Sequence, residues 1–153
     1  MLNFTSALYL GMRHPSRSLR PWQRLTTGVP AALATPVSAV QVAQTLASLQ
    51  GCERGVLAPS TLHLFWDLFG ILSGDGVVIY MDAGVYPIAR WGVERAAGRG
   101  VVVRCFAHHD SDALYHLLKR DAHRRTRPLV VTDGWCTRCG KPAPIAAYLA
   151  HAR

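Results

Sequence analysis

Short, mostly apolar runs alternate with longer segments of helical periodicity in this chain, and this alternation restricts its fold more than any other feature. The apolar runs cover residues 77–81, 101–106 and 128–132, and helical segments at 87–97 and 112–122 separate them. Strands that are apolar throughout are typical of sheets covered on both faces. A helix between successive strands indicates parallel pairing through right-handed crossovers. We therefore predict an α/β fold, a three-layer α/β/α sandwich with a mainly parallel sheet.

Further elements precede and follow this region. Apolar residues at helical spacing predict a helix over 37–49, and a short strand is expected at 55–58. Ser60 is the expected N-cap of a helix that runs to Leu72, and a last helix should open at Pro142 or Ala143. At 153 residues, 50% of them hydrophobic, the chain fits one domain and is not a disordered tail. We predict an N-terminal arm and linker at 1–34 and the domain proper at 35–153.

The formal net charge of +8 raises the question of a nucleic-acid partner. The basic residues form a loose group at positions 13–24 and a denser group at positions 119–127, and no interleaved aromatic signature accompanies either one. The denser group follows a predicted helix, where cations favour the helix C-terminus and stay solvated. A solvated surface is therefore the favoured interpretation, and a basic nucleic-acid-binding α/β protein stays open as an alternative. With no export signal or membrane-spanning run, a cytoplasmic location is expected.

In an open parallel sheet, ligands bind beyond the carboxyl ends of the strands. That rule selects four segments: 59–61, 82–86, 108–110 and 133–137. In the first, the hydroxyls of Ser60 and Thr61 lie beside the exposed amides of a helix N-terminus, which suits a phosphate, although capping alone also explains Ser60.

Two of these segments carry residues that bind metals in other proteins. His108 and His109 follow a strand, but adjacent side chains in a turn rarely converge on one ion. The Cys136-x-x-Cys139 pair has no second half at zinc spacing, and the prolines that follow it do not suit a thioredoxin-type motif. We therefore predict no metal site and treat the cysteines as incidental.

Four blocks of the sequence, in order, resemble the α-oxoamine synthases, which are pyridoxal-phosphate-dependent transferases of fold type I in aminotransferase class I/II. Residues 2–11 resemble an N-F-[ST]-S-x-x-Y-L-G opening, and residues 58–63 stand at the place of an S-G-x-x-A-N turn. Residues 106–114 resemble F-x-H-N-D-x-x-x-L, and residues 133–145 resemble E-G-x-[FY]-S-M-x-G-D-x-A-P-L. The resemblance implies that the chain is the N-terminal part of the large, cofactor-binding domain.

The resemblance also implies roles for particular residues. Ser60 and Thr61 would bind the cofactor phosphate, Tyr86 would stack on the pyridine ring where the family has a histidine, and Asp133 and Thr137 would line the pocket. The intact family condenses an amino acid with an acyl thioester, related enzymes transfer an amino group, and members form homodimers. No residue of this chain is assigned a catalytic role.

Two motifs that pyridoxal chemistry requires are not found in the sequence. They are the D-x-A-H segment, whose aspartate pairs with the pyridinium nitrogen, and the S-x-x-K segment, whose lysine forms the Schiff base. Lys119 and Lys141 are the only lysines, and neither stands in such a context. The fold is thus expected to be incomplete relative to the family, and the segment inactive by itself. A non-catalytic relative that binds a phosphate-bearing ligand, or associates with a full-length subunit, is the alternative.

Overall fold

The computed structural model describes residues 37–58 and 60–152. The described residues up to Leu57 belong to one compact unit, and those from Ala58 onward belong to a second. Within the first unit, α1 spans Val37–Leu49, as predicted, and buries Ala43 and Ala47. The predicted boundary between residues 34 and 35 and the opening 2–11 block lie outside the described residues.

The second unit contains a parallel sheet with helices between its strands. Its helices are α2 (Thr61–Leu72), α3 (Pro87–Gly98), α4 (Ser111–Asp121) and α5 (Ile145–His151), and a 3₁₀ turn (Ala122–Arg124) follows α4. Its strands are β1 (Val77–Asp82), β2 (Val102–Phe106), β3 (Arg127–Val131), β4 (Trp135–Cys136) and β5 (Lys141–Pro142).

Polar side chains set the predicted helix starts. Ser60 accepts a hydrogen bond from the amide of His63 at 3.3 Å and caps α2. Asp110 accepts one from the amide of Ala113 at 2.8 Å and caps α4. Each cap satisfies an amide that the helix itself leaves unpaired.

The three longer strands form a parallel sheet in the order β2-β1-β3, with Asp82 opposite Phe106 on one side and Met81 opposite Val131 on the other. All six residues of the central strand β1 are buried. This confirms the parallel sheet with both faces covered, which the apolar run predicted.

Successive residues of β1 contribute to two separate cores. Val77, Ile79 and Met81 pack with Phe69 of α2 and with the apolar residues of α3. Val78 and Tyr80 pack with a second set, Phe106, Leu114, Ala143 and Tyr148. Because side chains alternate across a strand, the two cores lie on opposite faces of the sheet. The predicted three-layer sandwich is confirmed.

Two local features differ from the sequence-based predictions. Residues 55–58 form no strand, and Val56 is 85% exposed, so this prediction is wrong. The 133–145 region contains an antiparallel pair, β4 and β5, that the sequence did not predict. This hairpin delays the last helix to Ile145, three residues after the expected start at Pro142.

Candidate functional site

Residues that follow β1, β2 and β3 meet at the carboxyl edge of the sheet. The centre is Asp82, which is fully buried. Its Oδ1 lies 2.7 Å from His108 Nδ1 and accepts the amide of Gly84 at 2.6 Å. Its Oδ2 accepts the amide of His109 at 3.1 Å and the hydroxyl of Thr132 at 3.2 Å. The buried carboxylate therefore joins all three strand ends.

The network shifts the acidity of both partners in the central pair. Burial by itself would raise the pKa of Asp82, but the hydrogen bonds from His108 and from the two amides outweigh it and hold that pKa below its ordinary value. The same hydrogen bond, donated by His108 to Asp82, raises the pKa of His108 to about 9, with smaller contributions from Cys139 and Cys136. The pair is therefore ionised at neutral pH in the absence of other ligands.

The two cysteines of the C-x-x-C segment lie beside His108. Cys139 Sγ is 3.5 Å from His108 Nε2, and the Cys139 amide donates to Cys136 Sγ at 3.3 Å. Hydrogen bonds to Cys136 Sγ, first from the Cys139 amide and then from the Cys139 side chain, lower the pKa of Cys136 to about 7. The two cysteines therefore belong to one polar cluster with His108. The sequence analysis treated them as incidental and did not predict these contacts.

His109 also turns toward this cluster. Its φ is 59°, a left-handed conformation uncommon for a residue with a side chain. Its ring stacks on that of His108 with centroids 3.8 Å apart. Nitrogens of both rings and Cys139 Sγ all lie within 4.8 Å of one another. The backbone turn at His109 therefore makes two adjacent histidines converge, which the sequence reasoning did not expect.

A cavity of about 370 Å³ lies at this edge of the sheet. Three of the five predicted cofactor-binding residues, Tyr86, Asp133 and Thr137, line it together with the guanidinium-bearing Arg90 and Arg138. Arg90 is held by donation to the Ala83 carbonyl at 2.9 Å. Burial raises the pKa of Asp133, and the hydrogen bond from the Tyr86 amide opposes that rise.

The other two predicted residues, Ser60 and Thr61, are exposed and do not line this cavity. Ser60 Oγ is already engaged, because it accepts the amide of His63 and lies 2.7 Å from that residue's Nδ1. One turn further, the ring of Phe65 lies 6.3 Å from that of Tyr86, which connects the start of α2 with the cavity wall.

A larger cavity, of about 460 Å³, lies at the opposite, amino-terminal edge of the sheet. Turn residues such as Gly74, Asp75 and Arg99 line it, and the described residues there form no cluster of hydrogen-bonded titratable groups. Since parallel sheets bind ligands at the carboxyl ends of their strands, the cavity beside Tyr86 is the candidate site.

Several members of the basic group at 119–127 make contacts within the protein. The Lys119 ammonium lies 5.1 Å from the ring centroid of Tyr115, and Arg127 donates to the Leu72 carbonyl at 3.4 Å. Arg120 lies 3.9 Å from the Asp121 carboxylate. These contacts favour the interpretation of this basic group as solvated surface charge. The basic group at 13–24 lies outside the described residues.

No helix in the described ranges, 37–58 and 60–152, is long and apolar enough to cross a membrane.

A three-layer α/β domain with a cavity at the carboxyl ends of its parallel strands belongs to the class of open α/β folds, in which ligands typically bind at that edge. Comparison with known proteins narrows this class. The chain is 33% identical over 154 residues to 8-amino-7-oxononanoate synthase of Sodalis glossinidius (strain morsitans), covering 95% of this chain and 38% of that protein. No family model matches the chain.

Solved structures with the same fold include two serine palmitoyltransferases. The one from S. paucimobilis, with a bound PLP–myriocin aldimine, is 21% identical with a TM-score of 0.72, over 83% of this chain and 32% of that one. The one from Sphingomonas wittichii is 20% identical with a TM-score of 0.70, over 82% and 31%. These findings confirm the resemblance to the pyridoxal-phosphate-dependent α-oxoamine synthases of fold type I. The chain spans about a third of the length of these relatives.

Proposed function

We propose that this chain forms part of the cofactor-binding domain of a pyridoxal-phosphate-dependent enzyme, and that it binds the cofactor without a covalent bond. The observation that carries the proposal is the cavity beside Tyr86. It lies at the sheet edge where parallel folds bind ligands, and its volume of about 370 Å³ is within the range of small-molecule sites.

The residues around this cavity fit a planar, anionic, aromatic ligand. Tyr86 is 42% exposed and offers a ring face for stacking. The guanidinium groups of Arg90 and Arg138 complement negative charge, and Thr137 adds a hydroxyl donor. In this proposal Asp133 lines the pocket with a carboxyl whose pKa is raised by burial.

We assign the cofactor phosphate to Ser60 and Thr61 at the N-terminus of α2. Amides there point out of the helix and favour an anion. Because Ser60 Oγ accepts the His63 amide, we expect Thr61 and the free amides of the first turn to make the principal contacts. The Phe65–Tyr86 ring contact supports a ligand that extends from this turn toward the cavity.

Pyridoxal phosphate, when bound, supplies an electron sink for a carbanion formed on an amino acid. This chain's own residues would hold the ring and the phosphate and limit access of water. Neither lysine is in the cavity lining, since Lys119 is in α4 and Lys141 is in β5. We therefore propose that these 153 residues form no lysine-linked adduct and are inactive alone.

For the whole protein we propose the condensation of an amino acid with an acyl thioester, or transfer of an amino group, by a homodimer. The identity of 33% to an 8-amino-7-oxononanoate synthase supports this assignment. The amino acid would reach the cofactor through the cavity, where Arg90 and Arg138 suit its carboxylate.

The test is a titration of the 153-residue chain with pyridoxal phosphate, followed by tryptophan fluorescence. We expect saturable binding that Tyr86→Ala weakens about three- to tenfold, the worth of one aromatic stacking contact. Tyr86→Phe keeps the ring and should bind like the wild type. Tyr115→Ala, on α4, is the matched control that should leave binding unchanged.

Borohydride reduction of the saturated complex tests the absence of a Schiff base. Peptide mapping should find no single modified lysine. A stoichiometric adduct at Lys119 or Lys141 would overturn non-covalent binding. Equal affinities of the Tyr86→Ala and Tyr115→Ala chains, or no saturable binding at all, would overturn the site itself.

A non-catalytic relative that associates with another subunit is the second candidate. The observation that favours it is a set of exposed apolar side chains on α2, among them Trp66 at 44% and Ile71 at 80% exposure. Light scattering after gel filtration should then find a dimer that Ile71→Glu converts to a monomer. A monomeric wild-type chain at all concentrations contradicts this candidate.

A further inference from the structure

The cluster around His108 contains side chains that the proposed function leaves unused. They are the imidazoles of His108 and His109 and the thiol of Cys139, whose ligand atoms lie within 4.8 Å of one another, and the thiol of Cys136, which accepts the Cys139 amide. We propose that Cys136, Cys139, His108 and His109 bind one zinc ion. The proposal does not depend on pyridoxal phosphate binding.

The hairpin gives the two cysteines the geometry of a metal-binding knuckle. β4 and β5 pair antiparallel, with Cys136 opposite Lys141. Between them the chain turns back tightly: Gly140 has a φ of 66° and its amide donates to the Cys136 carbonyl at 2.9 Å. The Cys139 amide points at Cys136 Sγ from 3.3 Å, as is favourable for a thiolate that binds a metal. C-x-x-C is a common zinc-ligand spacing.

His108 is oriented as metal-binding histidines are. Its Nδ1 faces the buried Asp82 carboxylate at 2.7 Å, so that Nε2 is the nitrogen left for a metal. A carboxylate behind a ligand histidine fixes the ring and its tautomer. Nε2 is 3.5 Å from Cys139 Sγ. With Zn–S of about 2.3 Å and Zn–N of about 2.0–2.1 Å, a tetrahedral site needs an S···N separation of about 3.6 Å.

His109 supplies the fourth ligand. Its Nε2 is buried and has no hydrogen-bond partner among the described residues, which is costly for a polar atom unless a ligand satisfies it. Its backbone is left-handed, and one of its ring nitrogens lies within 4.8 Å of Cys139 Sγ. To bind the ion, the ring must rotate out of its stack on His108 so that Nε2 faces the metal. Strained backbone at such a position is consistent with a functional constraint.

Two thiolates and two imidazoles are a ligand set that suits zinc. Four protein ligands leave no open position, which is typical of structural rather than catalytic zinc. The ion would fasten the hairpin to the end of β2. It would thereby fix the turn that presents Thr137 and Arg138 to the cavity.

The experiment uses the 153-residue chain, reduced and stripped of metal by a chelator, titrated with Co²⁺ as a spectroscopic substitute for Zn²⁺. We expect one equivalent to produce intense tetrahedral ligand-field bands and sulfur-to-cobalt charge-transfer absorption, and Zn²⁺ to displace it. Zn²⁺ should also raise the Tm, because a ligand bound only by the folded state stabilises it.

Single substitutions test each ligand. Cys136→Ser, Cys139→Ser, His108→Asn and His109→Asn should each weaken Zn²⁺ binding at least about tenfold. The two serine variants should also lose intensity in the charge-transfer absorption. Cys52→Ser, an exposed cysteine of the first unit, is the matched control and should bind as the wild type does. Circular dichroism of the metal-free chains shows whether each variant is folded.

Two results would overturn the proposal. One is a folded wild-type chain that shows no tetrahedral Co²⁺ spectrum and no rise in Tm with Zn²⁺. The other is that any folded chain with Cys136→Ser, Cys139→Ser, His108→Asn or His109→Asn binds Zn²⁺ as tightly as the Cys52→Ser control.

Discussion

Asp82 and His108, 26 residues apart in the chain, face each other at 2.7 Å across the carboxyl ends of β1 and β2. The carboxylate is fully buried, and the imidazole is 21% exposed. Asp82 also accepts two amides and the Thr132 hydroxyl, so every strand of the parallel sheet is connected to this one side chain. The pair thus has a structural role as well as its position beside the cavity.

Replacement of Asp82 should measure this role. We expect Asp82→Asn to lower the free energy of unfolding by about 3 kcal/mol, because removing one partner of a buried ionic network leaves its donors uncompensated. Urea denaturation of the metal-free chain measures the change. Asp67→Asn, at an exposed position of α2, is the control and should stay within about 0.5 kcal/mol of the wild type. A loss at Asp82 no larger than that of the control would contradict the network.

The pH dependence of stability should show two contributions of opposite sign between pH 7 and 9. The folded-state pKa of His108 is raised to about 9, so its stabilisation is present below pH 6.5 and is lost as the pH rises through 9. The pKa of Cys136 is lowered to about 7, so its stabilisation is lost as the pH falls through 7 and grows above it.

The two contributions can be separated by substitution in the presence of a chelator. Cys136→Ser should become less stable from pH 7 to 9, because only the His108 contribution remains. His108→Asn should become more stable over the same interval, and the wild type should change least. Urea denaturation at several pH values tests this order. The same change in the free energy of unfolding between pH 7 and 9 for both variants would refute it.

Two buried tyrosines make a matched comparison for hydrogen bonding. Tyr80 Oη donates to Asp121 Oδ2 at 3.2 Å, whereas Tyr148 Oη is buried with no hydrogen-bond partner among the described residues. Burial first, and then Asp121, raises the pKa of Tyr80 to about 12. Tyr80→Phe should cost about 1.5 kcal/mol, and Tyr148→Phe should be neutral or stabilising. Thermal unfolding of both variants measures the difference in stability. Equal stabilities of the two variants would contradict this prediction.

Close packing of α2 on α3 depends on Gly92. A Cβ at this position would lie 2.6 Å from Phe69 Cδ2 and 2.8 Å from the Phe65 carbonyl oxygen, and the backbone atom cannot move aside cheaply. Gly92→Ala should therefore destabilise the chain by about 2 kcal/mol. Gly98→Ala, at the end of the same helix and with open space around it, should be neutral or stabilising. Chemical denaturation measures the free energy of unfolding of both variants. Similar losses for Gly92→Ala and Gly98→Ala would contradict close packing at Gly92.

Local patterns were sufficient for most of the fold. The uninterrupted apolar run of β1 requires two covered faces, and the hydroxyl of Ser60 and carboxylate of Asp110 mark helix starts wherever the chain is placed. At residues 55–58 the pattern failed, because Val56 and Leu57 are too few to distinguish a strand from an apolar loop. The β4–β5 hairpin was missed because strands of two residues carry no periodicity.

The sequence by itself determined the layered parallel fold, the edge of the sheet that holds the candidate site, and the family resemblance, because each depends on residues close together in the chain. Only the tertiary structure decided which side chains meet there. The parallel register of β1 and β2 brings His108 to Asp82, and the hairpin returns Cys139 to within 3.5 Å of a ring 31 residues away. No local pattern encodes these distances, since they depend on strand register and on the left-handed turn at His109.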